Sequence, residues 1–102
     1  VLYFSAITLS LFDEHDRAQV VALASAVRRQ GVRVAFDSNY RPRGWADAAM
    51  AVRAIEGLAG VIDIALPTFS DDAVLFSDRD PAACAARWHG LGASEVAVKL
   101  GA

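Results

Sequence analysis

Four short apolar runs, many of their residues β-branched, recur along the chain at 1–7, 32–36, 61–66 and 95–100, and every gap between them is long enough to hold a helix. The runs are continuous and not alternating, as expected of parallel strands covered on both faces. Parallel neighbours need a crossover of this length, and such crossovers are right-handed. The pattern β-α-β-α-β-αα-β therefore predicts an α/β layered sheet.

The connections carry helix signals of their own. Between the first two runs, 13–30 places Val20, Leu23, Ala24 and Val27 on one helical face, with Asp13 as a cap and Gly31 as a left-handed stop. The second connection, 47–60, has a stripe of Met50, Ala51, Ala54, Ile55 and Leu58 and ends at Gly60. The third divides into 68–76 and 80–91, the second piece starting at Asp80-Pro81, a cap followed by a proline whose missing N–H costs nothing there.

Composition narrows the classes of function. With 102 residues there is room for one domain or part of one, and 55% hydrophobic against 22% charged residues describes a chain that buries a core. A net charge of −2 with the basic residues scattered speaks against a nucleic-acid partner. The longest apolar runs fall far short of the roughly 20 residues of a membrane span. Cys84 has no partner for a disulfide and no metal-ligand spacing, so a reducing, cytoplasmic setting is expected. Cys84, Trp45 and Trp88 read as packing residues, and His15 and His89 as surface residues at helix ends.

In open α/β sheets ligands bind beyond the carboxyl ends of the strands. After the second run stands Asp37-Ser38-Asn39-Tyr40-Arg41-Pro42-Arg43-Gly44-Trp45, the most polar stretch of the chain. In an extended segment Asp37, Asn39 and Arg41 would share one side, and Pro42 favours extension at Arg41. The Arg41 fork suits a carboxylate or phosphate and Asn39 both donates and accepts, a set that fits an anionic, hydroxylated small molecule. An ordinary turn with solvated arginines has the same composition. Thr68 and Asp71 have capping-box spacing, although a carboxylate there could also sit near a metal–phosphate complex. Lys99, the single lysine, stands at the tip of the last run. Neither a G-x-x-x-x-G-K-[ST] nor a G-x-G-x-x-G loop occurs.

In this order the segments resemble the ribokinase-like (PfkB) carbohydrate kinases, and among them the 2-keto-3-deoxygluconate kinase branch. The matching stretches are Leu2-Tyr3-Phe4-Ser5-Ala6-Ile7, the Asp-x-Asn-x-Arg-Pro-x-x-Trp block from Asp37 to Trp45, Leu66-Pro67-Thr68-Phe69-Ser70-Asp71-Asp72, and Val98-Lys99-Leu100-Gly101. The resemblance implies a ribokinase-like layered sheet and transfer of the γ-phosphoryl group of ATP, with Mg²⁺, to a hydroxyl of a sugar acid. It implies substrate and nucleotide contacts at Asn39 and Arg41, nucleotide contacts at Lys99 and Gly101, and a metal-organising role at Asp71. Thr68 and Asp71 stand where the broader family has Asn and Glu, and Ala6 where glycine is common.

The chain opens and stops on strand-like runs, so residues 1–102 are expected to be the central part of one kinase domain, cut at both ends. The family's Gly-Ala-Gly-Asp motif, with the catalytic base, would then lie beyond Ala102, and this piece alone is expected to be inactive and to behave poorly in isolation. The full-length enzyme could form a homo-oligomer. Two other readings fit the same pattern: a non-catalytic α/β module for an anionic metabolite, and an arc of a (β/α)₈ barrel.

Overall fold

The computed structural model describes residues 1–100. Strands β1 (Leu2–Ser5), β2 (Val34–Asp37), β3 (Ile64–Ala65) and β4 (Glu95–Val96) form a parallel sheet in the order β1-β2-β3-β4. The register aligns Tyr3, Ala35, Ile64 and Glu95 in one row. Helices α2 (Glu14–Arg29), α3 (Ala48–Glu56), α4 (Phe69–Phe76) and α5 (Pro81–Gly90) make the crossovers, and a short helix, α1 (Ala6–Ser10), follows β1 directly. Each crossover advances the sheet by one strand in the same direction, so right-handed connections set α2, α3 and the α4–α5 pair on one face.

Burial agrees with that layering. Phe4 and Phe36 meet edge to face at 5.4 Å, and Phe36 meets Trp88 of α5 at 5.7 Å. Tyr3, one residue from Phe4, is 56% exposed. Coverage on both faces is thus found in β2, whose residues are all buried, and not in β1 or β4, the edges of the sheet as described.

The caps read at Asp13 and Asp80 form: each accepts the backbone N–H three residues on, as does Asp47 at the start of α3, and Gly31 and Gly60 adopt positive φ. The second helix ends at Glu56, earlier than its stripe suggests, and Leu58 is buried from the turn that follows. The run 1–7 also stops short as a strand, because Ser5 and Thr8 exchange side-chain-to-backbone bonds in a capping box that starts α1. Among the described residues no helix is long and apolar enough to cross a membrane.

Asp63, just before β3, ties the amino-terminal end of the sheet together. It accepts the Val34 N–H at 2.8 Å and pairs with Arg28 of α2 at 3.0 Å. Burial alone would raise its carboxyl, but the Val34 N–H and the Arg28 guanidinium outweigh burial and hold it below its ordinary value. A carboxyl held low in the fold adds stability above its ordinary pKa, and that contribution is lost as pH falls through the lower folded value. Urea melts between about pH 5 and pH 2 should show stability falling below about pH 4, and Asp63→Asn should flatten that decline. An unchanged acid limb in the variant would contradict the assignment.

Candidate functional site at the strand ends

At the carboxyl end of β2 the chain leaves the sheet through Ser38 and Asn39. Ser38 is fully buried, and its hydroxyl accepts the Thr68 N–H at 3.0 Å. Asn39 has φ of +27°, toward the left-handed region that asparagine tolerates better than most residues. This turn breaks the expected alternation, so Asp37, Asn39 and Arg41 do not share one side of a continuous strand. It also sets the Tyr40 N–H to donate to Asp71 Oδ2 at 3.2 Å.

Arg41 is exposed, and among the described residues its side chain donates only to the neighbouring Tyr40 carbonyl, from Nη1 at 3.3 Å. A 3₁₀ turn at Pro42–Gly44 then returns the chain to Trp45, which is buried and has the Arg17 guanidinium 4.5 Å from its ring centroid. Gly44 lies against α1: a Cβ there would stand 2.9 Å from Ser10 Oγ and 3.0 Å from Ser10 Cβ. The Ser10 hydroxyl is held by the Ile7 carbonyl at 2.6 Å and does not yield freely. Gly44→Ala should therefore cost about 1–3 kcal/mol of overpacking, and Ser10→Gly should recover much of it in a denaturation double-mutant cycle. Additive effects would show that this packing does not set the loop.

The segment after β3 departs from expectation at its cap. Thr68 occupies the N-cap of α4, yet its side chain caps nothing, and the Asp71 carboxylate turns outward to Tyr40. The predicted capping box does not form, because Asp71 is engaged by a neighbouring strand-end loop. Thr68 pairs in parallel with Lys99, the Lys99 N–H donates to the Pro67 carbonyl at 2.7 Å, and the Phe69 N–H to the Lys99 carbonyl at 2.8 Å.

Lys99 reaches back across the sheet to Asp37, with Nζ to Oδ2 at 2.8 Å. The Tyr3 hydroxyl donates to the same oxygen at 3.1 Å. Burial raises the Tyr3 phenol, and the bond to Asp37 and its charge raise it further, against a smaller opposing effect of Lys99. Asp37 Oδ1 is buried and has no partner among the described residues. Of the site residues expected from the sequence, Asn39, Arg41 and Asp71 are joined through Tyr40, and Lys99 joins them through Asp37 and the Thr68 pairing. Gly101 lies outside the described residues. Asp37, Ser38 and Tyr3 are not among the expected ligand-binding residues; the sequence signals for Asp37 are its place at the head of the polar stretch and its position in the Asp-x-Asn-x-Arg block.

For a hard divalent cation, Asp71 supplies a fitting oxygen ligand: one carboxylate oxygen holds Tyr40 and the other has no hydrogen bond among the described residues. A second cluster, Asp72, Asp78 and Cys84, has its ligand atoms within 4.8 Å of one another, but the Arg87 guanidinium fills it with bonds of 2.6 Å to Asp72 and 2.8 Å to Asp78. Burial first, and then the two carboxylates, push the Cys84 thiol up to about 12, so it stays protonated at neutral pH. A groove of about 410 Å³ between α2 and α3, lined by Arg17, Val21, Met50 and Arg53 among others, shares no residue with the strand-end cluster.

No family model matches the chain. The chain is 34% identical over 101 residues to a 2-dehydro-3-deoxygluconokinase of Haemophilus influenzae, covering 99% of this chain and 32% of that protein. It is likewise 34% identical over 102 residues to one of Thermoproteus tenax, covering 30% of that protein. Among solved structures, a PfkB protein from Polaromonas sp. JS666 superposes with a TM-score of 0.84 at 30% identity, over 99% of this chain and 34% of that one. Aminoimidazole riboside kinase from Salmonella enterica gives 0.79 at 24% identity, over 98% and 33%, which supports the fold alone. The chain therefore spans about a third of the length of the curated relatives it matches, and its α/β sheet is a partial ribokinase-like fold.

Proposed function

We propose, for a chain that resembles PfkB carbohydrate kinases in sequence and fold, that it supplies the strand-end part of an ATP-dependent kinase for a sugar acid, 2-dehydro-3-deoxygluconate in the first place. The observation that carries this reading is the closure of three strand-end segments into one cluster, where the Tyr40 N–H meets Asp71 and Lys99 meets Asp37. Four polar candidates, Asn39, Arg41, Asp71 and Lys99, thereby come from three segments spread over sixty positions to the carboxyl end of the sheet.

In this reading the exposed Arg41 fork binds the substrate carboxylate near the transferred phosphoryl group, with Asn39 beside it as donor and acceptor. Lys99, together with Gly101, contacts the nucleotide. Asp71 would hold Mg²⁺ through its free oxygen, with the buried Ser38–Thr68 bond fixing the loop that carries it. A cation held there would supply positive charge against the negative charge that develops on the transferred phosphoryl group. Binding, orientation and charge are what these residues contribute, and phosphoryl transfer depends mainly on those. The base that takes the hydroxyl proton belongs, by the resemblance, to a Gly-Ala-Gly-Asp motif beyond Ala102.

The intact protein that carries this chain, given Mg²⁺, ATP and 2-dehydro-3-deoxygluconate, should release ADP and a phosphorylated sugar acid detectable by phosphorus NMR. Binding of the sugar acid in calorimetry with no ATP turnover would replace the kinase reading with that of a binding module.

A further inference from the structure

The single lysine of the chain does not stand free at its strand tip. Lys99 and Asp37 are 62 residues apart, yet the ammonium meets Asp37 Oδ2 at 2.8 Å, and the same oxygen accepts the Tyr3 hydroxyl at 3.1 Å. Asp37 is the last residue of β2, and its side chain is only 12% exposed against 45% for Lys99. The anchor is thus a rigid, nearly buried carboxylate, and the anchored group is the long, flexible and solvent-facing one.

We propose that Asp37 is a positioning residue for the nucleotide: its carboxylate, fixed by β2 and steadied by Tyr3, holds the Lys99 ammonium in place at the carboxyl edge of the sheet. The inference rests on the reading of Lys99 as a nucleotide contact. An ammonium has three donors, and Asp37 takes one, which leaves two for an anionic ligand. A free lysine loses much rotamer freedom when a ligand pins it, and one already held loses less. The pair is also hard to break. Asp37 Oδ1 is buried without a partner among the described residues, so withdrawal of Lys99 would leave a buried carboxylate with only the Tyr3 bond. An exposed salt bridge serves no such purpose and contributes little.

Steady-state kinetics of the intact kinase with Asp37→Asn, Lys99→Met and the double variant test this. Asp37→Asn keeps the shape and the Tyr3 acceptor but removes the charge. Each single variant should raise KM for ATP about tenfold, with kcat and the sugar-acid KM changed less than about twofold. The double variant should be no worse than Lys99→Met alone, because both remove one interaction. If Lys99→Met raises KM for ATP and Asp37→Asn leaves it unchanged or lowers it, the positioning role is wrong and the nucleotide contact stands. If Lys99→Met itself leaves KM for ATP unchanged, the nucleotide reading of Lys99 falls, and this inference with it. Should Asp37→Asn not fold, Tyr3→Phe removes one support of the carboxylate and should raise KM for ATP about threefold; an unchanged value would overturn the role of the clamp.

Discussion

Arg87→Met is expected to destabilise the protein by about 3–5 kcal/mol, the cost of leaving buried acids without their cation. Arg87 of α5 reaches into the gap between α4 and α5 and donates to Asp72 at 2.6 Å and to Asp78 at 2.8, 3.0 and 3.2 Å. Asp72 is fully buried, and the Asp78 side chain is 6% exposed. Burial alone would lower the guanidinium pKa, but Asp78 and Asp72 outweigh it and raise the value, so the cation is firmly kept. The guanidinium also lies 3.8 Å from the Phe76 ring centroid, and Trp88 Nε1 donates to Asp72 at 2.8 Å. Methionine keeps much of the packing volume but offers no donor to either carboxylate, so Asp72 and Asp78 face each other uncompensated. Lysine should recover part of the loss, since it keeps the charge but lacks the fork that serves two acids at once. Urea denaturation reads the effect as a lower midpoint at unchanged slope. A loss below about 1 kcal/mol would place the cluster among ordinary surface pairs.

Arg41→Lys in the intact enzyme is expected to lower kcat/KM for the sugar acid by about 10–100-fold, the range of a charge-assisted hydrogen bond, while changing KM for ATP far less. Arg41 has no acid partner among the described residues, and its one hydrogen bond goes to the adjacent Tyr40 carbonyl. Its fork is therefore available to a ligand carboxylate, and lysine replaces two parallel donors by one point charge. Because Arg41 is exposed and supports no other element, the variant should melt with the parent. Equal kinetics for the two proteins would remove Arg41 from the substrate site.

Features set by neighbours in sequence are legible without the structure. The caps at Asp13 and Asp80 join an aspartate to an amide three residues on, and Gly31 takes the positive φ that follows the end of α2. The order of the strands and of the crossover helices α2 to α5 follows from apolar periodicity and crossover length, whereas α1, cut from a run that reads as strand, does not. Trp45, Trp88 and Cys84 are buried as packing residues. The interactions that build the site are not legible, because their partners lie far apart in the chain. Lys99 to Asp37, Ser38 to Thr68 and Tyr40 to Asp71 span 62, 30 and 31 positions. The same distance hides the reason the Thr68–Asp71 capping box fails. Local spacing favours the box, but the Tyr40 N–H, presented by the Asn39 turn, engages Asp71 instead. Arg87 shows the limit again: two acids 15 and 9 positions away make it a buried cation, and nothing in the helical pattern of α5 marks it.

The central claim is that this strand-end cluster serves a kinase whose acceptor carries a carboxylate. The most direct measurement compares kcat/KM of the intact protein, with Mg²⁺ and ATP, for 2-dehydro-3-deoxygluconate and for ribose, a hydroxylated sugar without the acid group. The account predicts a preference for the sugar acid of about 100-fold or more, the worth of a bidentate arginine–carboxylate pairing that the neutral sugar cannot make. Equal or reversed efficiencies would contradict it.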